Sequence, residues 1–396
     1  MEGHKDHRER VYLDNAATTR PLDEVILTMG QTLYDTFANP SSTHTLGRDA
    51  KAVVENARRE IAALLGAPHT RLFFTSGGTE SDNAVLRSAR TMGIRRIVSS
   101  AAEHHAVTET LKTLERENRF FSPEYRISVV YIGLDDQGCL RMDELERVLS
   151  EGVGVPTLVS LMHANNETGN LHDICAIGTL CRRYGALYHT DAVQTVGHVP
   201  MDLSGLPVDF LSASAHKFHG PKGVGLLYVR AQDGIVPLIE GGGQERGARS
   251  GTENVAGIAG MACALRVACE RMEQDRAHVR ALRARLLEGL GTLSGIRLNG
   301  PYRSGAPCLE GIVNLTLGVR KDPSVVLLLL DMAGIEVSAG SACMAGAPEP
   351  SAVLAQMYAG DRDPMAGYPS VRISMGRFNT LQDIDAAVAA IGKILD

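Results

Sequence analysis

The 396-residue chain is 44% hydrophobic and 22% charged, with a formal net charge of -6, a balance that excludes intrinsic disorder and supplies a core of ordinary size. Net acidity argues against a protein that works by neutralising phosphate backbones, so no nucleic-acid partner is expected. The longest apolar run, 325–330, stops at Asp331, far short of the roughly 20 residues that span a bilayer, and a soluble chain without a membrane partner is expected.

Residues 1–10 (MEGHKDHRER) are polar, with charges of both signs, and lack the apolar stretch of a signal peptide, which places the protein in the cytoplasm. Strand-like apolar runs follow at 71–75, 95–99, 126–132, 156–162, 186–190, 208–213 and 224–229, separated by helical patterns such as 49–65 and 173–184. That alternation predicts an α/β fold with a mainly parallel sheet. From about 254 to 290 the pattern is helical throughout, too long for one ordinary crossover helix, and marks the passage into a second domain. The last helix is expected at 381–395, with Thr380 as N-cap and Asp383 favouring the helix dipole from the first turn. The expected division is a large domain at 16–260 and a smaller α+β domain from 261–396 with 1–15 packed against it.

Three strand ends carry chemistry. After 71–75 come Ser76, Gly77, Gly78, Thr79 and Glu80, then a helix; two glycines at a helix N-terminus let backbone N–H groups approach a phosphate, or simply make a capped turn. No G-K-[ST] follows, so this is not a P-loop. Asp191 in ALYHTDAVQ lies just past another strand, where it could pair with a cationic ring nitrogen or cap a helix. Lys217, flanked by Ser214, His216 and Gly220, is a candidate Schiff-base lysine, with Lys222 as competitor. An anion cradle, an acid and a lysine on successive strand ends are what pyridoxal 5'-phosphate needs.

His104 and His105 in EHHAV cannot both face one side, and one of them could stack on the cofactor ring and shuttle protons. With Glu103 they lack metal-ligand spacing, and no metal is expected. The seven cysteines are scattered with no C-x-x-C pair, which fits neither a disulfide framework nor a zinc ribbon. Cys343 stands apart, in the run of small residues SAGSACMAGAPEP, which reads as a mobile loop suited to a nucleophilic thiol. Arg372 on a strand-like alternation could grip a substrate carboxylate with two parallel hydrogen bonds, and Arg377 could do the same.

Taken together, YLDNAATTR, NPSSTH, FTSGGTESDN, EHHAV, HANNETG, HTDAVQ, SAHKFHGPKG, GGGQERGARSGTEN, SAGSAC and RISMGRFNT resemble, nearly end to end, the NifS/IscS-like cysteine desulfurases, pyridoxal-phosphate enzymes of fold type I in aminotransferase class V. The resemblance implies a seven-stranded-type sheet in the large domain and a homodimer. It implies Lys217 as the cofactor lysine, Asp191 as partner of the pyridine nitrogen, Gln194 as donor to the ring hydroxyl oxygen and His104 as the stacking proton carrier. The phosphate would be held by Gly78, Thr79, Ser214 and His216, with Thr252 reaching it from the partner subunit. Asn166 and Arg372 match the holders of the substrate α-carboxylate, and Cys343 matches the persulfide-forming nucleophile.

The implied activity converts L-cysteine to L-alanine and passes sulfur to an acceptor protein such as an iron-sulfur scaffold. A selenocysteine lyase or related β-lyase of the same fold is the alternative within enzymes; a non-catalytic partner-binding homologue is the alternative outside them. Met344 and Ala345 stand where the family commonly has hydroxyl residues, so thiolate activation or docking could differ, while G-S-A-C favours the desulfurase.

Overall fold

The computed structural model describes residues 10–230, 234–302, 305–339, 351–358, 365 and 367–395. Seven strands, β2 (Leu72–Thr75), β3 (Arg96–Ser99), β4 (Ser128–Tyr131), β5 (Thr157–Ser160), β6 (Leu187–Asp191), β7 (Phe210–Ser214) and β8 (Gly225–Val229), form one sheet in the order β2-β8-β7-β6-β5-β3-β4. Only β8 runs against its neighbours; the other pairings are parallel. The four central strands from β8 to β5 are buried along almost their whole length, which is why they read as continuous apolar runs rather than alternations. Helices α3 (Gly78–Ser88) and α4 (His105–Glu117) pack on one face over Val85, Leu86, Val107 and Leu111. Helices α2 (Thr45–Leu64), α5 (Met142–Glu151) and α6 (Ile174–Arg183) bury Val54, Ile61, Leu145 and Ile177 in the larger core on the other face.

A second core forms around the antiparallel sheet β12-β10-β9, with β9 (Ile296–Asn299), β10 (Ile312–Leu317) and β12 (Ser370–Ser374). It takes Val313, Leu315 and Ile373 from the sheet, Val326 and Leu330 from α8 (Pro323–Met332), and Ile384 and Ile391 from α10 (Leu381–Leu395). The run at 325–330 thus lies inside α8. The chain's start joins the same core: β1 (Val11–Tyr12) pairs parallel with β11 (Ile335–Glu336), and Leu13 is fully buried.

One helix belongs to both cores. α7 (Val255–Leu290) is 36 residues long, about 54 Å at 1.5 Å per residue. Asn254 caps it by accepting from the Gly257 N–H at 3.0 Å. Its first half buries Ile258, Met261, Leu265 and Ala268 in the larger core, and its second half buries Leu282, Leu286 and Leu290, four residues apart, in the smaller. At α10 the expected cap is reciprocal: Thr380 Oγ1 accepts from the Asp383 N–H at 3.2 Å and Asp383 Oδ2 from the Thr380 N–H at 2.9 Å.

Candidate active site

The site lies at the carboxyl ends of β2, β5, β6 and β7 and takes residues from the N-terminal loop and β12. α3 starts directly from the β2 turn, and its N-cap, Gly77, has no side chain to close the first N–H groups. Those donors are left for an anion at the positive end of the helix. A Cβ on Gly78 would stand 2.4 Å from Val193 Cγ2 and 3.9 Å from Ser214 Cβ, so glycine is what lets the cradle, the segment after β6 and the end of β7 meet. Thr79 is exposed and Ser214 buried. His216 shares a hydrogen bond with Thr18 Oγ1 at 3.2 Å, and burial, reinforced by Lys217 and Lys222, pulls its pKa down to about 4. His216 is therefore neutral at neutral pH and offers a hydrogen bond rather than a charge.

Asp191 ends β6 and is 8% exposed. Its Oδ1 accepts from the Val193 N–H at 2.9 Å. Burial first, then the neighbouring Asp82, pushes its pKa up to about 6, against the opposing pull of His104. An acid so placed gains most from a cationic ring nitrogen. His104 caps α4, its Nδ1 accepting from the Ala106 N–H at 3.1 Å, which leaves Nε2 to carry the proton of the neutral ring. Its charge acts on Asp191 and Glu167, whereas that of His105 acts on Glu109, one turn along α4. His104 therefore faces the site.

Lys217 follows β7 in a short 3-10 turn (Ala215–Lys217). Its Nζ donates to the carbonyls of Ala16 at 2.6 Å and Ala17 at 2.9 Å, and Gln194 Nε2 donates to the same Ala16 oxygen at 2.9 Å. The amine and the amide thus converge on one point of the N-terminal loop, while Lys222 is exposed. A cavity of about 100 Å³ lies beside them, toward α7 and Arg377. The donor-rich cradle that a Cβ would fill, the buried acid and the half-buried amine together fit pyridoxal phosphate.

Arg372 on β12 is 1% exposed. Its Nη1 donates to the Asn166 carbonyl at 2.9 Å and its Nη2 to Asp14 Oδ1 at 2.8 Å, while Nε has no hydrogen-bond partner among the described residues. That donor remains for a carboxylate. Arg377 is bound to Asp275 of α7, with Nε at 2.9 Å, so the two arginines do different work. The turn carrying Asn166 is held by Asn165 Oδ1, which accepts from the N–H groups of Glu167 at 2.9 Å and Thr168 at 3.0 Å.

Cys343 lies outside the described residues; the chain on either side of its segment does not. Ser338 pairs with Arg372 through the backbone, with N–H···O at 2.7 Å in one direction. Ser351 Oγ donates to Glu167 Oε2 at 2.6 Å. Burial raises the proton affinity of Glu167, against Ser351, Arg372 and His104. Thr252 is exposed and lines a cavity of about 130 Å³ with Thr75, Ser76 and Arg249 of its own chain; Arg249 reaches Glu80 at 3.1 Å.

The sequence reading did not single out Asp82, His189 or Glu167. An acid one turn into the cradle helix and another inside NNETG were the available signals. Among the described residues, no group of three or more His, Cys, Asp or Glu could hold a metal, and no helix is long and apolar enough to cross a membrane.

The fold and the site define a pyridoxal-phosphate-dependent enzyme. The model of the aminotransferase class-V family matches residues 11–387, and the chain belongs to that family. It is 42% identical to the cysteine desulfurase IscS of Klebsiella pneumoniae over 97% of this chain and 92% of that protein. A solved structure described as a NifS-like protein superposes with a TM-score of 0.87 at 37% identity, covering 98% of this chain and 99% of that one. The apo cysteine desulfurase of Thermococcus onnurineus superposes at 0.84 with 25% identity, over 100% and 98% of the two chains.

Proposed function

We infer that the chain is a cysteine desulfurase, which converts L-cysteine to L-alanine and moves the sulfur through Cys343 to an acceptor. The observation that carries this reading is the fastening of both flanks of the Cys343 segment, at Ser338 and Ser351, to the strand of Arg372 and the turn of Asn166. A thiol carried between those anchors serves a substrate held by those residues.

In this reading the N–H groups at Gly78, the hydroxyls of Thr79 and Ser214, and neutral His216 hold the cofactor phosphate. Gln194 would donate to the ring hydroxyl oxygen, Asp191 would hold the proton on the ring nitrogen, and His104 would lie against the ring. Pyridoxal phosphate, when bound, supplies an electron sink for charge developing at the substrate α-carbon. Arg372 and Asn166 fix the α-carboxylate, which orients the α-proton toward Lys217 and the sulfur toward Cys343. Lys217 takes the α-proton at Nζ. The Cys343 thiolate then forms an S–S bond to the substrate sulfur as the C–S bond breaks, its electron pair staying on carbon, which is protonated to give alanine. Cys343 is left as the persulfide.

We also propose a homodimer, with Thr252 donated across the interface. α1 (Asp23–Asp35) and the residues just after it present Leu27, Leu33, Tyr34 and Phe37 to solvent at 64–83% exposure, an apolar surface that a second copy would cover. The proposed division is a cofactor domain at 16–260 and a second domain from 1–15 and 261–396, in the cytoplasm, with an iron-sulfur scaffold as acceptor.

The test is alanine and sulfide production from L-cysteine, with a reductant, for the wild type beside Cys343→Ala and Lys217→Ala. Both variants should lose both products. Full activity of Cys343→Ala would replace the persulfide route by a lyase.

A further inference from the structure

Behind Asp191 the chain buries more charge than cofactor binding requires. His189, two residues earlier on β6 and so on the same face of the sheet, is fully buried. Its Nδ1 lies 2.9 Å from Ser160 Oγ on β5, and its Nε2 lies 3.1 Å from Ser212 Oγ on β7. From above, α3 places Asp82 Oδ1 3.5 Å from the same Nε2. Asp82 is 1% exposed, and its Oδ1 has no hydrogen-bond partner among the described residues. On the remaining side stands Glu103, directly before His104, with Oε1 accepting from the Met162 N–H at 2.8 Å and Oε2 without a partner among the described residues.

The groups facing Asp191 are thus Asp82 from α3, Glu103 and His104 from the segment before α4, and His189 from its own strand. A buried carboxylate with an unmet acceptor is costly unless it is paired or hydrogen-bonded, and its retention calls for an explanation. Burial drives the proton affinity of Glu103 well above that of an ordinary carboxylate, which favours its neutral form and reduces the charge it adds. Asp82 sits one turn into the helix whose N-terminus forms the anion cradle. Its carboxylate acts on Asp191 in the direction that raises the proton affinity of that acid.

We propose that Asp82 is a positioning residue for the desulfurase reaction: its carboxylate, held against His189 between α3 and the sheet, keeps negative charge behind Asp191 so that Asp191 retains the ring-nitrogen proton more tightly than a solitary buried acid would. This rests on Asp191 being the ring-nitrogen partner. Two carboxylates sharing one low-dielectric site hold a proton between them more strongly than either alone, and here the shared proton is the one at the cofactor nitrogen. His189 bounds that carboxylate on the sheet side, with Nε2 3.5 Å from Asp82 Oδ1.

The test uses holoenzyme reconstituted with cofactor labelled with nitrogen-15 in the pyridine ring. The nitrogen chemical shift, followed against pH, reads ring protonation directly and independently of turnover. Asp82→Asn should lower the pH at which the ring nitrogen loses its proton by about one unit, while His189→Gln, which removes the ring 3.5 Å from the Asp82 carboxylate, should raise it. A role in packing alone would lower cofactor occupancy or thermal stability in both variants and leave the midpoint where it is; that result overturns the proposal. If Asp82→Asn does not fold, His189→Gln decides alone: an upward shift supports the proposal, and no shift or a downward one overturns it. Asp191→Asn separates the two levels. Unchanged ring protonation in that variant overturns the Asp191 assignment itself, whereas collapse there with no shift in Asp82→Asn overturns only the role of Asp82.

Discussion

Arg58 and Arg372 are both almost completely buried, with side chains 3% and 1% exposed, and each faces a carboxylate at 2.8 Å. Around Arg58 every demand is met. Its Nη1 and Nη2 bind both oxygens of Glu245 at 2.8 Å, Nη1 also reaches the Leu72 carbonyl, and Glu245 accepts from the Phe74 N–H. This closed pair holds Glu245 and Arg246 in left-handed backbone, at φ 46° and 55°, on the loop that leads to Thr252. Around Arg372 the account is open: Nε is unmatched among the described residues, and Asp14 is 19% exposed. The same two residue types thus build a rigid corner where the hydrogen bonds close and a receptor where they do not. The site as a whole follows the second pattern, with Asp191, Glu103 and Glu167 all pushed toward their protonated forms chiefly by burial.

The sharpest way to break this contrast is Arg58→Met. It strands buried Glu245 and should cost about 3–5 kcal/mol in chemical denaturation, while kcat/KM of the folded, cofactor-loaded fraction stays near wild type. A large kinetic effect would make the corner part of the site.

Next in size is the pH dependence of the cofactor-free protein. Asp191 titrates near 6 when folded and near 3.8 when unfolded, so its share of stability is fully present below 3.8 and lost as pH rises through 6. The loss should reach about 3 kcal/mol. Asp191→Asn should remove this component from the stability-pH curve, and a curve of the same shape in the variant would contradict the open-site picture.

Arg372→Gln should lower kcat/KM for L-cysteine about a hundredfold, with far less destabilisation than Arg58→Met. Equal losses of stability would erase the distinction. The smallest effect is expected for Ser351→Ala, which removes the bond to Glu167 and the cap on α9 (Ala352–Met357). About 1 kcal/mol should slow persulfide formation roughly fivefold, measured in a single turnover.

Much of this was legible in the sequence. The buried strands of the sheet, β8 to β5, were visible because burial leaves them as apolar runs, and the cradle, Asp191 and Lys217 because strand-end chemistry is local. β1 and β11 have two residues each and carry no periodic signal. The partners that define the site were also hidden, because Arg372 and Asp14, like His189 and Asp82, are joined only by the topology. Glu167 looked like one more turn residue until Ser351 arrived from 184 positions away. The choice of His104 over His105 rested on family likeness; in the structure His104 caps α4, while His105 begins the helix and acts on Glu109.

α7 constrains how such a chain can vary in length. Because one unbroken helix is seated in both cores, each residue inserted between Ala268 and Leu282 would advance the second core by 1.5 Å and turn it by about 100°. A single-residue insertion there would swing β12 and Arg372 away from Lys217, whereas a seven-residue insertion would nearly restore the angle and add about 10 Å of separation. Neither length nor angle can drift alone, so the middle of α7, although solvent-facing along much of its surface, should tolerate substitutions far better than insertions or deletions.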